Sequence, residues 1–143
     1  MTYMADKIID TNILVYAYDV SEGKKHRTSR DLSMQIWKEG GGVVCLQNLM
    51  EFLVVVTSKV ERPIKVIEAR AIIEDFLKSE RWRIIDRDAD TFLKAVNLVS
   101  EYGIHLGDAV IVACMRENNI TEIVTENRKD FEKIPYIRVT VPF

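Results

Sequence analysis

Cysteine is scarce. The chain holds two, Cys45 and Cys114, in neither a C-x-x-C nor a Cys/His spacing. A zinc ribbon, a thioredoxin-type site and a disulfide framework are thereby disfavoured, and both residues, set in apolar surroundings, read as small buried hydrophobes. Glycine and proline are also sparse, at 6 and 3 of 143 residues, while 48% of the chain is hydrophobic. Collagen-like, low-complexity and disordered chains are excluded. No apolar run approaches the roughly 18 residues of a membrane span. The first ten residues contain no signal-peptide core, and Asp10 interrupts their short apolar run, so a soluble cytoplasmic protein is expected. An excess of positive charge is missing too. The formal net charge is -2, which argues against a nucleic-acid-coating protein. It leaves room for a nuclease, because an acidic metal site can coexist with a local basic patch.

What is present is an alternation of strand and helix patterns. Lys7–Asp10 reads as a buried strand ending in a carboxylate, with Thr11 or Asn12 capping a short helix over Ile13–Tyr18. Lys24–Trp37 reads as a polar, partly amphipathic helix. Gly40-Gly41-Gly42 breaks it, and Val43–Leu46 follows as a strand. Asn48–Ser58 is a helix apolar on almost every side, hence expected to be buried. Pro63 suits the first turn of another helix, which runs to about Lys78 with Val66, Ala69, Ile73, Phe76 and Leu77 on one face. Trp82–Ile85 is a strand. Ala89, Phe92, Leu93, Val96 and Val99 mark a helix that stops near Tyr102 at Gly103. A mostly apolar helix over His105–Glu117 and strands at Glu122–Thr125 and Ile137–Val141 complete the pattern. Such alternation predicts one α/β domain with a mainly parallel sheet, without repeats or linkers and with only the last few residues loose.

Three carboxylates stand in apolar surroundings. Asp10 ends an apolar strand, Glu51 is the only charged residue between Val43 and Ser58, and Asp108 is the only one between His105 and Met115. A buried ionised carboxylate is costly unless it is paired or bound to a metal. Singly, each has an ordinary structural reading, Asp10 as a cap and Glu51 and Asp108 as first-turn acids facing a helix dipole. Together they converge. Ligands of a parallel sheet bind outside the carboxyl ends of its strands, where Asp10 and two helix starts would meet. Three such acids repel one another, a divalent cation resolves the conflict, and all-oxygen ligation selects Mg²⁺ or Mn²⁺ over zinc. A fourth polar group is expected from Thr125–Phe131, which leaves the same edge. Asn127 and Asp130 are the candidates, Asp130 reading equally as a cap or surface acid, and Glu126 reads as solvated.

Four segments carry a resemblance: Ile9-Asp10-Thr11-Asn12-Ile13-Leu14, Asn48-Leu49-Met50-Glu51-Phe52, Leu106-Gly107-Asp108-Ala109-Val110-Ile111-Val112-Ala113 and Thr125-x-Asn127-x-x-Asp130-Phe131. In their order and spacing over nearly the whole chain they resemble the PIN-domain ribonucleases, above all the VapC-type toxins of toxin–antitoxin pairs. The resemblance implies a three-layer α/β/α sandwich around a small parallel sheet, with Asp10, Glu51 and Asp108 as an acidic triad. Its fourth acidic position falls on Asn127, an amide that cannot ligate as an anion, and Asp130 is the candidate to compensate. Thr11 and Asn12 would orient Asp10, and Thr125 would supply a supporting hydroxyl.

The activity implied is hydrolysis of single-stranded RNA phosphodiesters with one or two Mg²⁺ or Mn²⁺ ions, leaving a 5′-phosphate and a 3′-hydroxyl. The two histidines, His26 and His105, supply no evident pair for metal-free acid–base cleavage and read as structural. RNA also requires positive charge. Lys24, Lys25, His26, Arg27 and Arg30 cluster after the first motif, and Arg27, Arg30 and Arg128 are the best candidates for phosphate contact. The resemblance implies a homodimer and a small antitoxin partner, for which Lys24–Trp37 and Val66–Lys78 would form a groove unless they simply pack on the sheet. The competing reading is a catalytically weak binding module of the same fold, made real by Asn127 and opposed by the intact triad. A Mg²⁺-dependent phosphatase lacks its D-x-D pair here, and a dinucleotide enzyme lacks G-x-G-x-x-G.

Overall fold

Five parallel strands form the sheet: β1 (Lys7–Ile9), β2 (Gly42–Cys45), β3 (Trp82–Ile85), β4 (Glu122–Val124) and β5 (Arg138–Thr140), in the order β3-β2-β1-β4-β5. The structure is a computed structural model and describes residues 5–143. Seven α-helices connect and flank the strands among these residues: α1 (Thr11–Tyr18), α2 (Lys24–Glu39), α3 (Leu46–Ser58), α4 (Val66–Lys78), α5 (Ala89–Tyr102), α6 (Leu106–Glu117) and α7 (Arg128–Phe131). Parallel strands need crossovers, and α-helices supply them, which is why the strand and helix patterns alternate.

The period-two alternation of strand side chains divides the core in two. Ile8, Val43 and Ile123 point to one face and pack with α5 and α6 through Ala95, Leu98, Ile111 and Met115. Ile9, Val44 and Val124 point to the other and pack with α1, α2, α3 and α4 through Leu14, Ile36, Phe52 and Phe76. The expected three-layer sandwich is present.

Several element boundaries differ from the sequence reading. β3 spans Trp82–Ile85 as expected, whereas β1, β4 and β5 are shorter by one or two residues and β2 is shifted by one. α1 begins at Thr11 rather than Ile13, because Asp10, and neither Thr11 nor Asn12, is its N-cap. α3 begins at Leu46, so Glu51 lies in its second turn, not its first. The cause is Asn48, whose carbonyl oxygen accepts the Cys45 N–H at 3.0 Å and starts the helix early. Pro63 lies outside α4. The segment before α4 is tied back to α3 by Ile64 N–H to the Val56 carbonyl, 3.0 Å, and Glu68 accepts the Lys65 N–H at 3.1 Å to start the helix at Val66. Gly40 and Gly41 end α2 with φ of 85° and 87°, a region that glycine enters freely. Gly103 stops α5 as expected, in the left-handed conformation. The reading of the first ten residues as lacking a leader falls partly outside the described residues. No single described helix is long and apolar enough to cross a membrane.

The expectation that α3 is buried holds on one side only, and α4 and α5 likewise turn part of their apolar residues outward. α3 keeps Leu49, Phe52 and Val56 inside but exposes Met50 and Val54. α4 buries Ala69 and Phe76, with Val66 and Leu77 exposed. On α5 the buried residues are Thr91, Ala95 and Leu98, while Phe92, Leu93 and Val96 face outward. An apolar arc wider than one sheet contact leaves its remainder uncovered within a single chain.

α2 and α4 meet at an aromatic cluster. Trp37 lies 5.0 Å and Trp82 4.8 Å from Phe76, centroid to centroid, so these helices pack together over β3. Gly42 makes that packing possible. A Cβ there would sit 2.5 Å from Ile36 and 2.6 Å from Trp82. Gly42→Ala is therefore expected to lower stability by about 1–3 kcal/mol through overpacking. Chemical denaturation monitored by tryptophan fluorescence checks this, and an unchanged midpoint would show that the neighbours yield freely.

Candidate metal centre

The strand order places a crevice at one point of the sheet. From β1 the chain builds outward to β2 and β3, then returns to add β4 and β5 on the other side. Beyond the carboxyl ends of β1 and β4 lies this switch point, the usual ligand position of open parallel sheets. Asp10 directly follows β1 and Thr125 directly follows β4. The Thr125 hydroxyl donates to Asp10 Oδ2 at 2.7 Å across the gap.

Asp10 is 6% exposed and held from three sides. Besides Thr125, the Thr11 N–H donates to Oδ1 at 2.8 Å and the Asn48 amide donates to Oδ1 at 3.3 Å. Burial raises its pKa, the hydrogen bonds from Thr125 and Thr11 act against that, and Glu51 adds repulsion. Glu51 is fixed in turn. Its Oε2 accepts the Thr11 hydroxyl at 2.8 Å and its Oε1 accepts the Gln47 amide at 2.9 Å, one helical turn away. The Asn12 side chain spans the gap, donating to Thr125 Oγ1 at 3.4 Å and accepting the Glu126 N–H at 3.2 Å. Thr11 and Thr125 thus bond directly to Asp10, whereas Asn12, expected to orient Asp10, bonds instead to Thr125 and the Glu126 backbone.

Asp10, Glu51, Asp108 and Asn127 line one open cleft of about 330 Å³, with Thr11, Asn12, Val15, Tyr16 and Val55. No lysine or arginine is among those residues. α6 reaches the cleft because Gly107 has no side chain; a Cβ there would lie 3.2 Å from Glu51 Oε1. Burial, a hydrogen bond with Asp130 and repulsion from Asp10, Asp130 and Glu51 together push the pKa of Asp108 up to about 8. Asp130 moves the other way. Burial opposes its ionisation, but hydrogen bonds from the His105 backbone and from Asp108 and His105 side chains outweigh burial and hold it at about 2. The two carboxyls titrate as a pair, with burial and mutual repulsion favouring the protonated form of Asp108.

Asp130 does not line the cleft itself. It sits 3% exposed behind Asp108 and accepts the His105 N–H at 3.1 Å and the ring Nδ1–H at 2.6 Å. His105 is the N-cap residue of α6, as its structural reading requires. His26 also plays a structural part, with Nδ1 2.8 Å from the Tyr16 carbonyl oxygen. Glu126 is not free in solvent as expected. It accepts hydrogen bonds from Tyr16 Oη and Lys25 Nζ, which link α1 and α2 to the segment after β4.

Arg27, Arg30 and Arg128 lie outside the cleft and are exposed. Arg30 is 3.5 Å from Asp31, and Arg128 is 3.2 Å from Glu132. Of the basic cluster, Lys25 reaches the edge of the cleft through Tyr16 and Glu126. Two important residues escaped the sequence reading as site residues, Asn48 and Gln47. Asn48 is fully buried and joins Asp10, Thr11 and the start of α3. A signal was available: Gln47 and Asn48 stand four and three residues before Glu51, so both lie on its side of the helix.

The PIN domain family model matches residues 7–136. No curated protein sequence matches the chain significantly. A toxin–antitoxin complex from Klebsiella pneumoniae is similar, with 25% identity and a TM-score of 0.65 over 96% of this chain and 98% of that one. VapBC2 from Rickettsia felis, bound to a DNA fragment of its promoter, is 25% identical with a TM-score of 0.65 over 93% and 96%. Mycobacterium tuberculosis VapC20, a Sarcin-Ricin loop cleaving toxin, shares the fold at 16% identity and a TM-score of 0.66 over 82% and 87%.

The raised pKa of Asp108 has a consequence for stability. Between about 4 and about 8 the cation-free folded chain holds a proton that the unfolded chain has released. Stability from this residue is therefore full at low pH and lost as pH rises towards about 8. The melting temperature of chelated protein is expected to fall with pH more steeply in the wild type than in Asp108→Asn, and Mg²⁺ should raise it most at the alkaline end. Parallel curves for the two proteins would refute this assignment.

Proposed function

The chain belongs to the PIN-domain family, and from that membership we propose that it is a divalent-metal-dependent endoribonuclease cutting single-stranded RNA, the cytoplasmic toxin of a type II toxin–antitoxin pair. One observation carries the reading: Asp10, Glu51 and Asp108, from three separate elements, line one cleft among whose residues there is no cation. The donor set fits Mg²⁺ or Mn²⁺, since it offers carboxylate and amide oxygens at an open position. A bound divalent ion supplies Lewis acidity towards the phosphoryl group and the attacking water.

The chain's own residues do the rest. Thr125, Thr11 and Asn48 fix the Asp10 carboxylate, and Thr11 and Gln47 fix that of Glu51, so neither must reorganise when charge develops. Asp108 would hold the ion as a carboxylate together with Asp10 and Glu51. Asn127 contributes an uncharged amide, and Asp130 is the further acid available to a second ion. Exposed Arg27, Arg30 and Arg128, with Lys25, are assigned to the RNA backbone outside the cleft. The products are a 5′-phosphate and a 3′-hydroxyl.

Two protein contacts belong to this reading. Structures similar to this chain are toxin–antitoxin complexes, which supports an antitoxin partner. A cavity of about 440 Å³, lined by Tyr18, Val20, Val56, Val60 and Ile64 with Asp19, Ser21, Glu61 and Arg62 beside them, suits an amphipathic segment of it. The groove expected from α2 and α4 is filled at their shared aromatic cluster. The second contact is a homodimer, supported by the outward Phe92, Leu93 and Val96 of α5.

Incubation of purified protein with total cellular RNA tests the activity. Discrete cleavage is expected with Mg²⁺ or Mn²⁺, none with chelator, and about 100-fold less or lower still in Asp108→Asn, because several kcal/mol of charge stabilisation depends on the ion. A folded, ion-binding wild type that cuts nothing would point instead to a binding module. For the dimer, Leu93→Glu is expected to halve the mass measured by light scattering while the protein stays folded. A wild-type monomer would remove α5 from this role.

A further inference from the structure

The sequence reading gave the site an all-oxygen donor set. The structure adds a nitrogen. We propose that His105, Asp108 and Asp130 form a second cation position with a mixed nitrogen and oxygen donor set, one that favours a first-row transition ion over Mg²⁺. The proposal rests on the metal-dependent reading above and assigns a ligand which that reading lacks.

Geometry supports it first. One candidate donor atom from each of the three residues lies within 4.8 Å of those from the other two. Ligands on one octahedral ion at about 2.1 Å stand about 3 Å apart when adjacent and about 4.2 Å apart when opposite. The group therefore closes on an ion with small side-chain rotations. Helix register explains why. His105 caps α6 and Asp108 lies three residues later, so both project from one side of its first turn. Asp130 enters from α7 on the facing side. The His105 side chain is 86% exposed, so an arriving ion meets the ring in solvent, whereas Asp130 is 4% exposed and stands beneath it.

Charge supplies the second reason. Asn127 brings an amide where the family pattern expects an acid, so the α6 side of the cleft has Asp108 and Asp130 as its anions. Their carboxylate oxygens fall in one group within 4.8 Å, so two acids face one another there and a cation between them relieves the repulsion. Chemical preference supplies the third. Mg²⁺ takes hard oxygen donors and retains water, whereas imidazole suits transition ions. A histidine beside two carboxylates shifts the balance towards them.

Pulsed electron paramagnetic resonance on the full chain loaded with Mn²⁺ decides the matter. The wild type is expected to show nitrogen modulation from a directly bound imidazole. His105→Asn, which keeps a polar side chain at the helix start, should lose that modulation and bind Mn²⁺ roughly tenfold or more weakly at one position, with Mg²⁺ affinity little changed. His26→Asn is the control and should keep the signal, because His26 is engaged with the Tyr16 carbonyl. Mn²⁺ bound without nitrogen modulation, or modulation that survives His105→Asn, would overturn the proposal and leave His105 as a cap for α6. Failure of the wild type to bind Mn²⁺ at all would overturn the metal-dependent reading itself, and this one with it.

Discussion

A single carboxylate at the middle of the sheet constrains much of what surrounds it. Asp10 is almost fully buried at the end of the central strand, and an ionised group there must be compensated. Three neutral donors converge on it from three elements: Thr11 from α1, Asn48 from α3 and Thr125 from the end of β4. None of them brings a full positive charge. The carboxylate is thus held in place while its negative field stays available to the cleft. A lysine or arginine in the same position would have neutralised it and closed the site.

The cost of that arrangement is distributed over the fold. Thr11 serves Asp10 through its backbone and Glu51 through its hydroxyl, so the two acids are coupled through one residue. Asn48 starts α3 and steadies Asp10 at the same time. Gly107 allows α6 to come close enough for Asp108 to join them. Behind the cleft, Asp130 anchors the start of α6 through the His105 backbone. Helix starts at the carboxyl edge of the sheet are what bring these acids together, and the apolar faces of the same helices build the two cores.

The alternation of strands and helices and the convergence of three isolated acids were legible from the sequence, because burial of an unpaired charge is improbable by chance and the strand–helix period is strong. Starting points of helices were less legible. Asn48 moved α3 by two residues, and the Glu68 cap moved α4 beyond Pro63, both through side-chain bonds to the backbone that hydrophobic spacing does not register. For Phe92, Leu93 and Val96 the helix was legible but the outward direction of the face was not. Their spacing is truly helical, but periodicity says only that a face is apolar, not whether it meets the sheet or the outside. The roles of Glu126, Gln47 and His105 depend on contacts made across the fold or along one turn, and polar residues in such positions look like ordinary surface in one dimension.

The central strand has one early neighbour and one late one. β1 pairs with β2 within the first third of the chain, but its other edge waits for β4, and the Asp10–Thr125 bond spans 115 residues. Contacts of that separation come at a high loop-closure cost and late in folding. During synthesis, which proceeds from the N-terminus, the acidic cleft has no second wall until the residues around Thr125 have left the ribosome. The order of chain growth thereby acts as a timer: a partly made chain carries Asp10 and Glu51 but no assembled centre.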